Sequence, residues 1–297
     1  MDGGSSVVAV RIRPLLPDDV AAAHELSFAT FAALDESVGE PVPEHTEEVR
    51  RRGEARVRHL QATDPGGAWV AEDGGRPVGV TLASRRGPLW FLSLLTVAPA
   101  GQGRGTGRLL LDAALRTAEN AGAALICSSE DPRALHRYGS AGFALQPAFR
   151  ARGTVERARL PTVDGVREGS FDDDRDLVDA LAVEVRGAPV GPDLDASAAV
   201  PGARLLVAEG AQGRGYAVVR GSSVRPLAAT TPAAARALLV TGLAALDGEV
   251  TVDFVTGGQQ WAVGVLLELR LPFRPVESLA VRGFAPTGPY LPDGAYG

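Results

Sequence analysis

The sequence predicts an α/β protein of two similar domains, each a twisted, mostly antiparallel mixed sheet flanked by helices. Three observations predict it. The chain has 297 residues, 45% of them hydrophobic, more than the ~100–200 residues usual for one domain and enough to bury two cores. Short apolar runs bounded by Gly, Pro and Asp alternate with longer helical patterns. The order of these elements in the first half recurs, in worn form, in the second.

In chain order, Val7–Arg13 alternates as a strand, Pro14–Asp19 is a turn, and Val20–Leu34 is a helix capped by Asp18 or Asp19. A Pro-broken loop at 35–43 leads to a strongly charged helix over Glu44–Thr63, which Pro65-Gly66-Gly67 ends. Ala68–Glu72, Pro77–Arg85 and Leu89–Val97, separated by Asp-Gly-Gly and Arg-Gly-Pro turns, read as an antiparallel meander. Thr106–Ala121 is an apolar helix stopped by Gly122, Ala124–Ser128 a central strand, Pro132–Ala141 a helix and Phe143–Val155 a strand. The echo then begins. Val166–Gly169, the Asp172–Asp174 cluster and the apolar run to Val185 repeat the opening strand, turn and helix; Pro232–Leu246, Val250–Val255 and Gln259–Leu269 repeat helix, strand, helix. The joint falls near 157–164, giving domains 1–157 and 158–297.

Composition bounds the function. The formal charge is −6, and no basic block offers a footprint for nucleic acid. Arg supplies every basic side chain other than four His, since the chain has no Lys; with Ile and Met equally scarce this reads as codon bias. The single cysteine, Cys127, sits among apolar neighbours as a buried strand residue and suits a reducing compartment. No apolar run approaches the ~20 residues of a membrane span, and no signal segment opens the chain. A cytoplasmic monomer or homodimer, with no metal, is the expectation.

One loop carries chemistry. Gln102-Gly-Arg-Gly-Thr-Gly107 lies between a strand and a helix, where backbone N–H groups at the positive end of a helix dipole bind a diphosphate. Gly103, Gly105 and Gly107 permit positive φ and close approach of a phosphate, and Arg104 and Arg108 add charge. The segment resembles the GNAT acetyltransferase superfamily, whose acyl-CoA loop follows the fourth strand as Q/R-x-x-G-x-G/A, matched by Gln102, Gly105 and Gly107. A second match is separate from the first: Ala134, Tyr138, Gly142 and Phe143 fit the A-x-x-x-Y-x-x-x-G-F of the helix and turn after the fifth strand. The likeness spans roughly 7–156.

The resemblance implies that acetyl-CoA, or another acyl-CoA, binds the loop through Gln102, Gly103, Arg104, Gly105, Thr106, Gly107 and Arg108. It implies that the pantetheine arm runs along the backbone at Leu95 and Val97, and that Tyr138 protonates the departing thiolate. The acceptor would be a small-molecule primary amine attacking the thioester directly. Leu89–Val97 lacks the carboxylate that many members carry on this strand; Ser93 is the candidate for holding a relay water, with Glu36, Glu40 and His45 as alternatives, and Trp90 for lining the acceptor pocket. A non-catalytic acyl-CoA-binding module and a protein N-acetyltransferase are the competing readings.

Gln212-Gly-Arg-Gly-Tyr-Ala217 satisfies the same loop pattern, yet extended segments flank it on both sides, so it reads as a hairpin turn with no dipole behind it. Aligned by its helices, the second half places Ala228–Ala233, without glycine, at the loop and Leu266 at the tyrosine. The arrangement resembles tandem GNAT proteins in which one half is degenerate. Tyr296 or the Gly297 carboxylate, in a Pro/Gly/Tyr-rich tail, is a further candidate for the missing base.

Overall fold

The computed structural model describes residues 10–297. In chain order the elements are β1 (Arg11–Pro14), α1 (Val20–Ser37), α2 (Glu47–Thr63), β2 (Ala68–Asp73), β3 (Arg76–Arg86), β4 (Leu89–Val97), α3 (Thr106–Leu115), β5 (Ala123–Ser129), α4 (Pro132–Ser140) and β6 (Ala144–Thr154). Then follow β7 (Val166–Gly169), α5 (Arg175–Arg186), α6 (Asp193–Ala198), β8 (Arg204–Gly210), β9 (Gly213–Arg220), β10 (Ser223–Ala229), α7 (Pro232–Ala244), β11 (Glu249–Thr256), α8 (Gln260–Glu268), β12 (Phe273–Arg282) and β13 (Tyr290–Leu291). The order from β1 to β6 is repeated from β7 to β12, element for element. The fold is therefore a mixed α/β sheet flanked by helices, written twice along the chain.

The described residues up to Arg85, with Leu92–Glu119, form one compact unit; Arg86–Phe91, with Asn120–Gly297, form the other. In the first, β1 pairs antiparallel with β2 and β2 with β3, in registers such as Ile12↔Ala71 and Val70↔Val80. Val70, Val80, Leu82, Leu94, Leu110 and Leu111 are buried in its core. Thr46 caps α2, its side chain accepting from Val49 N, with Glu47 and Glu48 in the first turn where the dipole favours acid. Gly53 sits mid-helix, where glycine ordinarily costs about 1 kcal/mol. A Cβ there would stand 2.1 Å from His24 Nδ1, so its bareness admits that imidazole.

The second unit explains why a cut at 157/158 does not separate the compact bodies. β12, late in the chain, runs antiparallel to both β5 and β6, with Leu279 facing Cys127 on one side and Gln146 on the other. β6 in turn pairs antiparallel with β11. Strands from before and after the joint thus alternate in the order β5, β12, β6, β11. Glu277 on β12 ties them together: Oε1 accepts from Arg150 Nη2 on β6 at 2.7 Å, and Oε2 from Phe254 N on β11 at 2.7 Å. Phe254 has φ +57 at a break in the β11–β6 register, so Glu277 holds the bulge. Leu238, Leu239, Leu243, Val265 and Leu266, from α7 and α8, pack one core of this unit.

Several expected bounds shift. Of the opening strand, residues 7–9 lie outside the described residues, and only Arg11–Pro14 pairs. The helix from Thr106 ends at Leu115, passing into a single tighter turn at Arg116–Ala118. Cys127 is half-buried rather than buried. α6, β10, β12 and β13 were not foreseen. β12 begins Phe-Arg-Pro-Val-Glu, whose proline and charges mask strand character.

Candidate active site

β4 ends at Val97, and a tight turn at Pro99–Gly101 delivers the chain to the loop. Gly103 and Gly105 take φ +74 and +80, left-handed values that L side chains rarely adopt. Gly105 is the residue from which α3 starts. Gly107 departs from expectation: it is helical and buried in the first turn, without positive φ. Thr106 is buried, its hydroxyl donating to Gly101 O at 2.8 Å, which locks the turn onto the helix. Among the described residues, the N–H groups of Gly103, Gly105, Thr106 and Gly107 have no hydrogen-bond acceptor. Four donors clustered at a helix N-terminus make an anion nest.

The side chains of the loop serve its shape more than expected. Gln102 Nε2 donates to Val97 O at 2.9 Å, so this glutamine braces the end of β4 and uses one lone pair of a carbonyl that the resemblance implies would meet the pantetheine arm. Arg104 pairs with Asp73 at the end of β2. Arg108 is exposed, 3.5 Å from Asp112 one turn on. Leu95 and Val97 are half-buried at the end of β4, while Thr96 between them is buried.

Ser93 is buried, and its hydroxyl accepts from Arg56 Nε at 3.1 Å and Nη2 at 2.7 Å. Arg56 was not singled out in the sequence; as one of four Arg between 50 and 56 it read as part of a charged face. A guanidinium cannot accept a proton, so Ser93 beside it keeps its own hydrogen to donate. Trp90 is fully buried against Phe143, ring centroids 6.2 Å apart, and is core rather than pocket wall. Glu36 lies in the last turn of α1, which extends to Ser37, and not in the loop. His45 stacks on Phe28 with centroids 4.0 Å apart.

The loop belongs to the first unit and Tyr138 to the second. α4 is capped by Asp131, whose side chain accepts from Arg133 N. It ends at Gly142, φ +84, with Phe143 N donating to Tyr138 O at 3.1 Å, a Schellman closure. Gly142 and Phe143 therefore have structural roles: one turns the chain, the other is buried beneath Arg282, whose guanidinium lies 5.0 Å from its ring. Tyr138 is buried, its hydroxyl making no side-chain hydrogen bond among the described residues. Burial pushes its phenol up to about 12, so it carries its proton throughout the physiological range.

The second half has neither signature. Gln212 lies in the hairpin turn joining β8 to β9, where Gly210 faces Gly213. Between β10 and α7 the chain is Thr230-Thr231, and Thr231 caps the helix itself, its hydroxyl accepting from Ala234 N at 3.2 Å. Leu266 is fully buried. β10 and β11 pair in parallel only at Ser223↔Thr251, then diverge, and the tail fills the divergence: β13 pairs antiparallel with β10 at Leu227↔Leu291 and Ala228↔Tyr290. Ala229 N donates to Pro289 O at 3.0 Å, and Gln259, just before α8, donates to Tyr290 O. Beyond it Arg220 pairs with Asp293 and lies 5.6 Å from the Tyr296 ring; a Cβ on Gly297 would meet Phe91 at 3.1 Å.

Residues 31–143 match the family model for the acetyltransferase (GNAT) family. No protein of curated function matches. A crystal structure of a Pyrococcus horikoshii protein assigned as an acetyltransferase is similar over 100% of this chain and 99% of its own, at TM-score 0.75 and 19% identity. A tandem GNAT protein from the clavulanic acid biosynthesis pathway is similar over 95% of this chain and 99% of its own, at TM-score 0.55 and 17% identity. A GCN5-related N-acetyltransferase from Sphaerobacter thermophilus covers 96% and 98%, at 0.56 and 16%. Identities this low establish fold alone. The family match lies within the run of elements from β1 to β6, whose order recurs from β7 to β12.

Proposed function

We propose that the protein is an acyl-CoA-dependent N-acyltransferase acting on a primary amine of a small molecule, with residues 1–157 supplying the chemistry and 158–297 a degenerate second copy. The carrying observation is the nest of unpartnered N–H groups at Gly103, Gly105, Thr106 and Gly107, set at the start of α3 within the family-matched segment. A diphosphate presents several anionic oxygens to such donors without needing a metal or a lysine. Attack of the amine nitrogen on the thioester carbonyl forms the C–N bond, the C–S bond breaks, the thiolate takes the proton that Tyr138 holds, and the proton the nitrogen loses passes to a water at Ser93 and through solvent restores the phenol. Two features support a single site: Thr231 spends its side chain capping α7, and β13 pairs with the strand that would otherwise offer its edge to an acyl-CoA. The lone thiol and the absence among the described residues of a helix long and apolar enough to cross a membrane favour a cytoplasmic setting, as monomer or homodimer.

Titration calorimetry with acetyl-CoA, longer acyl-CoAs and free CoA, followed by an amine panel, tests the reading. One molecule is expected to bind per chain. Gly105→Glu should abolish binding, because it forces a side chain at φ +80 and adds a carboxylate to the nest. Failure of every acyl-CoA to bind the unaltered chain overturns the proposal.

A further inference from the structure

α1 and the residues just before α2 bring together three side chains that the chemistry above does not use. His24 and Glu25 are consecutive on α1, and His45 lies beyond the intervening loop. The Nε2 atoms of His24 and His45 are 3.4 Å apart, and Glu25 Oε1 is 3.5 Å from His45 Nε2. One ligand atom from each of the three lies within 4.8 Å of the others. For metal–ligand bonds of about 2.0–2.2 Å, the edge of a tetrahedron is about 3.3–3.6 Å, so both measured edges match a single four-coordinate ion.

Two surroundings set the imidazoles in place before any ion arrives. The His45 ring is stacked on Phe28, 20° from parallel. The His24 ring is buried against the bare backbone of Gly53, where any larger residue would collide with it. Glu25 remains 53% exposed and His45 31%, which leaves an approach for the ion and a fourth position for water. Two neutral imidazoles and a carboxylate are a donor set suited to zinc and its divalent neighbours rather than to magnesium or calcium, which demand oxygen.

We propose that His24, Glu25 and His45 bind one divalent transition-metal ion, zinc foremost, which clips the start of α2 to α1 and closes the loop between them. Such a clip shortens the free excursion of residues 38–44, the segment between the two helices. His24 also packs against Gly53, one helical turn from Arg56 on the same face of α2. The ion would therefore fix the helix that carries the Ser93 partner.

The test uses the full chain, stripped with a chelator and titrated with Zn2+ at neutral pH, with bound metal counted after dialysis. One Zn2+ per chain is expected. His45→Ala and Glu25→Gln, both at exposed positions that the fold tolerates, should each weaken it at least about tenfold, while His136→Ala leaves it unchanged. Co2+ substitution should give the visible absorption of a four-coordinate site, lost in His45→Ala, and Zn2+ should slow proteolysis between 38 and 44 in the unaltered chain only. Zinc binding that is absent up to about 100 µM, or equally strong in both variants, overturns the proposal and leaves the two histidines as a simple hydrogen-bonded pair.

Discussion

At the scale of single residues, Tyr138 is the side chain whose state the fold sets most firmly. Its phenol is buried and pushed up to about 12, so it can give a proton to a thiolate and is not itself ionised by mild base. Tyr138→Phe should lower acyl transfer about 10²-fold or more, the range of a lost general acid, with acyl-CoA affinity unchanged by calorimetry. Undiminished turnover in that variant would remove Tyr138 as the acid. The same burial has a consequence for stability. A tyrosine whose folded value exceeds its unfolded one contributes stability that is complete below about pH 10 and is lost as pH rises toward 12. Tyr216 and Tyr290 are raised by burial as well. Because the chain has no Lys, its four tyrosines dominate titration in that window. Urea midpoints should fall between pH 10 and 12, and less steeply in Tyr138→Phe. A flat profile would contradict the buried placement.

At the scale of elements, most helices and strands were legible because their periodicity is local. Leu89–Val97 and the loop after it were placed by an apolar strand followed at once by glycines, and the decoy at Gln212 was separated from it by the extended segments on either side. What was not legible depends on partners far away in the sequence. Gln102 and Arg104 look like ligands in a motif, but the acceptors that claim them, Val97 O and Asp73, are revealed only by the folded turn. Arg56 gave no signal, because nothing in a run of arginines says which one turns inward to Ser93. Glu277 is the clearest case. It follows two prolines in a stretch without strand character, yet it is 1% exposed and joins β6, β11 and β12. Removing it leaves Arg150 with Asp253 alone and frees Phe254 N. Glu277→Ala should therefore destabilise by roughly 1–3 kcal/mol, the cost of leaving the buried Phe254 N–H unsatisfied, read from urea denaturation. A loss under about 1 kcal/mol would show that the β11 bulge holds without it.

At the scale of the whole molecule, the two copies of the fold are distinct in sequence but not in construction. If each copy completed its own sheet, β6 would lie beside β5, and β12 beside β11. Instead β12 takes the place between β5 and β6, and β6 runs against β11. Cutting at 157/158 would leave β5 without β12 and β11 without β6, exposing long unpaired edges in both fragments. Residues 1–157 and 158–297 produced separately should each be aggregation-prone, without a cooperative melting transition. Co-expressed as two chains, they should reassemble into a soluble complex, since the exchanged strands need no peptide link across the joint. Circular dichroism melts of each fragment and of the co-purified pair decide the matter: two fragments that each fold alone as stable monomers would contradict the exchange. The same reasoning explains why a copy lacking both the glycine loop and the tyrosine is retained. Its strand β12 stands between β5 and β6 of the copy that keeps them, so the second half cannot be lost without leaving both of those strands unpaired on that side.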